Sequence, residues 1–288
     1  MSNRVVTSVL ARCLLDSTFL DSLAADSRVA LRDYDLGPDL RAMVESLDVD
    51  RVRWFAAFIA KVQHNFLWEA FPQTVRALKL HGIELEVFAA YLPLHLELRR
   101  RGDAGKEEKI GSFLSFLRDH LGAGREPASS SVLDVLAHEE AEWNVRCAIA
   151  ACSPAATPAG PPSSYRSLAL RRLVPAVRGA LRVVRFGWDP TLVIAGLTRG
   201  RREPSRAAWR PHHAAYWGDL DSQSLRVFEL DAVSAALLAE VDGRRSLRTV
   251  ACRAAKAVGA MPAATATRAL FAELADQGVV SLAVRRAH

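Results

Sequence analysis

SLRVFELDAVSAALLAEVDGRRSL, residues 224–247, decides the fold. It opens on an extended run, Leu225–Leu230, then passes into an alanine- and leucine-rich helix over about Ala232–Val241, which Asp242-Gly243 stops. RTVACRAAKAVG (248–259) supplies a second helix, Leu247–Val258, closed by Gly259, and a third follows over about Pro262–Gln277, closed by Gly278. Val279–Val284 then returns to β structure. Upstream, His213–Trp217 and Leu225–Leu230 read as a β-hairpin joined by the polar Gly218–Ser224. A small antiparallel sheet with three short helices is a winged-helix arrangement. Units of this kind rarely carry chemistry of their own; they bind a strand, a peptide or a nucleic acid.

Working towards the amino terminus, 198–211 is a basic irregular loop, Thr191–Leu197 (TLVIAGL) reads as a buried strand and Tyr165–Leu181 as a basic helix. Residues 153–164, SPAATPAGPPSS, are uncharged and rich in Pro, Ala and Ser, the composition of a linker. Residues 1–152 read as helix throughout. Val52, Phe55, Ile59, Val62 and Phe66 recur at three- and four-residue steps after Asp48 and Asp50, either of which suits a helix N-cap. Phe71-Pro72 and His81-Gly82 punctuate the next helices, and Ile83–Leu98 and Glu107–Leu121 follow. A last helix starts after Ser129–Ser131, with Asp134 placed for capping and Leu136, Trp143 and Ala150 in register at seven-residue spacing. The expected class is α+β: an all-α bundle over 1–152, a linker over 153–164, and a winged-helix-like domain over 165–288.

Composition bounds the function. The 288 residues carry a net charge of +6, but 161–210 holds eleven arginines against only Asp189 and Glu203, so this segment is +9 and the remainder −3. Either this is a surface for an acidic partner or it is drift in a chain with 33 arginines and 5 lysines. Cys13, Cys147, Cys152 and Cys252 have neither metal-site nor disulfide-framework spacing. The amino terminus lacks the apolar core of a signal peptide, and the longest uncharged stretch, 147–165, is broken by prolines. A cytoplasmic protein with free thiols and no membrane association is expected.

No catalytic signature is present: no phosphate loop, no nucleophile elbow, no paired metalloprotease histidines. His138 and Glu142 share a helix face, but two ligands fall short of a metal site, and a solvated acidic face accounts better for HEEAEW. His64, His81, His95 and His120 read as ordinary surface or boundary residues, and no cofactor is expected. Trp54, Trp68 and Trp143 are expected in the bundle core, with Trp209 and Trp217 covering the sheet.

Two ligand classes remain for the winged unit. A DNA reader needs a basic helix face: the third helix offers Arg268 against Glu273 and Asp276, whereas Arg244, Arg245, Arg248, Arg253 and Lys256 cluster at the second, so a DNA-binding regulator stays open. A peptide reader needs an open sheet edge, which Leu225–Glu229 would provide.

LRVFELDAVSAALLAEVDGRRSLRTVACRAA with ALFAELADQGVVSL resembles the RiPP recognition element, the peptide-binding domain of ribosomal-peptide modification systems typified by the pyrroloquinoline-quinone peptide chaperone. The carried features are a strand ending in Leu-Asp, an Ala-rich helix, an Asp-Gly stop, a short helix and a Leu-x-x-Gly-hydrophobic turn. The amino half, through DSRVALRDYDL (26–36), FPQT (71–74) and LDVLAHEEAEW (133–143), resembles the helical domain of partner proteins of multinuclear non-haem iron oxidative enzymes, as in methanobactin and 3-thiaglutamate biosynthesis. The resemblance implies a non-catalytic subunit. It would bind a precursor's leader peptide and form a heterodimer with an iron enzyme that oxidises a core cysteine. Peptide-contacting positions would be Leu225, Arg226, Val227 and Phe228 on the strand, and Thr267, Arg268 and Phe271 on the third helix. The arginine-rich segment before the hairpin departs from the pattern, and the first strand of the sheet has no evident place in it.

Overall fold

A computed structural model describes residues 2–102, 105–122, 127–152 and 168–285. The protein is α+β, with a helical amino-terminal part and small antiparallel sheets later in the chain. It divides into two compact units, Met1–Leu133 with Leu197–Glu203, and Asp134–Gly196 with Pro204–His288. The division falls at 133/134, earlier than the segment 153–164 read as a linker, which lies outside the described residues.

In the first unit, side-chain caps start the helices at Ser17, Ser27 and Val49, and a glycine stops the one that ends at His81. Asp16 accepts from the Phe19 amide at 3.1 Å ahead of α2 (Ser17–Ala25), and Asp48 from the Arg51 amide at 3.1 Å ahead of α5 (Val49–Gln63). Pro72 opens α7 (Pro72–His81), and Gly82, at φ 74°, closes it. The remaining described helices here are α1 (Ser2–Leu15), α3 (Ser27–Ala30), α4 (Pro38–Glu45), α6 (Phe66–Ala70), α8 (Glu84–Arg100) and α9 (Lys106–Gly122).

The buried face of α5 is not the stripe read from the sequence. Ala56, Ala57 and Ala60 are buried, Ala56 and Ala60 against Leu92 and Leu96 of α8. Phe55 is 54% and Val62 53% exposed, and Trp54 and Trp68, expected in the core, are exposed too. Small side chains let two helix backbones approach closely, which turned the larger apolar residues of α5 outward.

The second unit takes in α10 (Pro127–Ala151) from Asp134 onward. Asp134 does not cap this helix; it lies inside it, and its carboxylate accepts from the Trp188 amide at 2.6 Å. Burial raises the Asp134 pKa above the usual carboxylate range. Within the expected basic helix Tyr165–Leu181, the described part is a 3-10 turn followed by β1 (Leu173–Val177) and β2 (Ala180–Phe186). Pro175 removes a helical donor, and Gly179, at φ 84°, makes the reversal. A Cβ on Gly179 would lie 2.1 Å from the Gly218 carbonyl oxygen, so no other residue fits there.

The run read as a buried strand is helix α11 (Pro190–Thr198). Asp189 caps it by accepting from the Thr191 and Leu192 amides, and Pro190 occupies the first turn. A seven-residue apolar run has the same appearance in a strand and in a buried helix; the cap is what settled it.

The rest follows the reading closely: β3 (His212–Asp219), β4 (Ser224–Leu230), α12 (Ala232–Ala239), α13 (Leu247–Val258), α14 (Ala264–Asp276) and β5 (Val280–Val284). The strands form a three-stranded antiparallel sheet, ordered β2-β3-β4, and a separate pair, β1-β5. β5 therefore joins β1 rather than the hairpin sheet. In the larger sheet β3 is central, and β2 and β4 are the two edges.

Register sorts the side chains onto two faces. Leu181, Val183, Ala215, Trp217, Phe228 and Leu230 join the cluster of Leu237, Leu247, Val250, Phe271 and Leu282. Phe186, Ala214, Tyr216 and Leu225 point the other way, onto Ala141, Val145 and Ile149 of α10.

Candidate functional site: the open edge of β4

Among the described residues β4 pairs only with β3, from Ser224 opposite Asp219 to Leu230 opposite His213. Its outer margin is left without a strand partner. The turn that sets this register is closely tied. Asp219 accepts from the Asp221 amide at 3.0 Å and from Ser222 Oγ at 2.6 Å, and Gln223 adopts a left-handed φ of 53°. These bonds, led by that of Ser222, hold the Asp219 carboxyl below its usual pKa.

Side chains alternate along β4. Phe228 and Leu230 lie half-buried on the helical cluster, while Leu225 leans on the α10 side. Arg226 is exposed, with its guanidinium 5.6 Å from the centre of the Trp217 ring. Val227 is 46% exposed, and Glu229 is exposed at the carboxyl end. There Arg210 links Glu229, at 3.5 Å, to the buried Asp189, at 2.9 Å. Burial alone would raise the Asp189 pKa, but hydrogen bonds from Thr191 and Arg210 outweigh it and the net shift is downward.

The structure places Leu225, Arg226, Val227 and Phe228 together on this edge strand. It does not bring the three helix positions to the same surface. Phe271 is 0% and Thr267 1% exposed; Phe271 sits in the cluster core, and the Thr267 hydroxyl donates to the Ala263 carbonyl at 3.0 Å. Arg268 is half-buried. The main sheet contacts of α14 are with β5, and the helix most closely against β4 is α12. The reason is periodicity: Thr267, Phe271, Leu274 and Ala275 form the inward stripe of α14, so they build the core rather than a wall of the groove.

Sequence reading missed the element behind the sheet. Helix α10 was expected to stack Leu136, Trp143 and Ala150; instead Ala141, Val145 and Ile149 face the sheet, and Ala150 is exposed. Gly218 lets the helix in, since a Cβ there would come within 2.7–2.8 Å of Ile149 and Val145 carbons. The HEEAEW segment is correspondingly not a solvated face. Glu139 and Ala141 are buried, and His138 Nδ1 lies 2.6 Å from the Tyr216 hydroxyl. Burial lowers the His138 pKa and raises that of Tyr216. The four-residue spacing of 141, 145 and 149 was the available signal.

Trp217 is buried in the sheet as expected, whereas Trp209 is exposed and stacks on Trp188 at 5.5 Å. On the basic side of α13, Arg245 and Arg253 both pair with Glu240, and Arg245 also with Asp242. No helix among the described residues is long and apolar enough to cross a membrane. Comparison with protein-family models and with curated proteins finds no match to this chain.

Proposed function

We propose that the chain is a non-catalytic subunit that captures the leader of a ribosomally made precursor peptide on the β4 margin. It presents the precursor to a separate multinuclear non-haem iron enzyme, with which it forms a heterodimer and which oxidises a core cysteine. The observation that carries this reading is the edge position of β4, with exposed Arg226, Val227 and Glu229 along a row of main-chain donors and acceptors. A guest strand added there gains about 1 kcal/mol net per main-chain hydrogen bond, and side-chain contacts set its register. Arg226 favours an acidic residue in the guest. The groove is read as β4 with α12, in place of α14.

The test is a titration of the full chain with the leader of a short precursor encoded beside it, followed by fluorescence anisotropy. Arg226→Glu should weaken binding roughly tenfold, about 1.4 kcal/mol, and Val227→Asp similarly. Affinity unchanged in both variants would place the site elsewhere; failure of every adjacent precursor to bind would end the proposal. The other reading, a winged-helix DNA-binding regulator, requires an exposed basic recognition face, and Glu240 neutralises part of the one on α13. A specific duplex complex at physiological salt would revive it.

A further inference from the structure

A cavity of about 620 Å³ lies in the helical unit, lined by Gln63, His64, His95, Leu98, Arg99 and Lys109, with Gly102 at its edge. The two histidines, read from the sequence as ordinary surface or boundary residues on separate helices, are buried side by side. His64, just after α5, is 0% exposed and His95, within α8, is 5%; their rings meet edge-on at 4.4 Å. Nδ1 of His64 lies 2.7 Å from the Ala60 carbonyl, which can only accept, so Nδ1 carries the proton and Nε2 a bare lone pair. Nε2 of His95 lies 2.7 Å from Oε1 of Gln63; with that amide oxygen as acceptor, His95 carries its proton on Nε2 and leaves Nδ1 bare. Neither His64 Nε2 nor His95 Nδ1 has a hydrogen-bond partner. Two adjacent buried acceptors left unsatisfied cost about 1–3 kcal/mol each, an expense that packing alone does not account for.

The charge around them is positive. Lys109 of α9 acts on both rings and Arg99 of α8 on His95. Among the described residues no carboxylate lines the cavity. On the same helices, Glu84 is held by Lys61 at 2.7 Å, and Glu97 by Arg100 and Arg101. A metal ion does not suit this set: no group of three or more ligating side chains is present among the described residues, and the neighbouring cations repel it.

We propose that this cavity binds a small oxyanion, a carboxylate or a phosphate. Lys109 and Arg99 offset its charge, and His64 and His95 donate to it through protons taken up on binding. In the empty cavity both rings are neutral. Burial lowers both, and for His95 the adjoining His64 ring, whose protonation would oppose its own, and the cations Arg99 and Lys109 add to burial and bring its pKa to about 4. The complex holds more protons than the free protein, so affinity rises as pH falls.

Calorimetry on the full chain tests this, with inorganic phosphate, succinate and sulfate as separate probes; sulfate does not titrate in this range and isolates the protein's own proton uptake. Saturable one-site binding by phosphate or succinate, at least roughly tenfold tighter at about pH 5 than at about pH 7.5, supports the proposal, and the tighter probe identifies the oxyanion. Lys109→Ala, at a half-buried position, should weaken binding roughly tenfold while leaving the circular dichroism spectrum intact. His95→Gln should flatten the pH dependence. No saturable binding at the lower pH, affinity independent of pH, or Lys109→Ala binding like the parent would each overturn it.

Discussion

Phe228 and Phe271 belong to the same apolar cluster, yet they do different work. Phe228 reaches it from an edge strand and keeps part of its surface in water, whereas Phe271 is sealed within it. Truncating a sealed aromatic removes both its transfer free energy and the packing around it. Phe271→Ala should therefore lower stability by about 3–5 kcal/mol in urea unfolding. The part of the sample that remains folded should still take up peptide. Loss of peptide binding at undiminished stability would instead return Phe271 to the site.

At the scale of elements, the close seating of α10 on the three-stranded sheet depends on a missing side chain. Gly218→Ala pushes a methyl into Val145 and Ile149, and overpacking of this kind costs about 1–3 kcal/mol. The companion change Ile149→Ala should recover part of that loss in a double-mutant cycle; strictly additive effects would mean that the two positions do not touch. This contact also marks where sequence reading stopped. The hairpin was legible from the polar 218–224 between two extended runs, and α12, α13 and α14 because each has a local stop signal, at Asp242-Gly243, Gly259 and Gly278. β1 and the start of β2 were not, because arginines at 171, 172 and 178 gave 165–181 the look of a basic helix. The β4 half of the candidate site could be read from alternation alone. The α14 half could not, since a family pattern gives the position of a residue but not whether neighbouring helices have already covered it.

For the whole molecule, pH acts through buried histidines. Burial lowers His64, His95 and His138, His95 to about 4. Below the ordinary histidine value of 6.5 the unfolded chain binds protons that the folded chain refuses, so stability falls as pH drops. His95 alone contributes up to about 1.4 kcal/mol per pH unit across that interval. Asp134, shifted upward, works in the opposite sense and offsets a part. Thermal melts in oxyanion-free buffer should thus show a midpoint declining steadily between about pH 6.5 and pH 4.5, and His95→Leu should shallow that decline. A flat profile would mean that the rings are open to water.

Among the described residues the larger sheet has a second bare flank, β2, where Arg182 and Arg185 stand in solvent. Like charges placed along such a flank discourage two sister molecules from stitching together there. Part of the arginine surplus would then act as a fender on one side of the ribbon, leaving the opposite side for the guest proposed above.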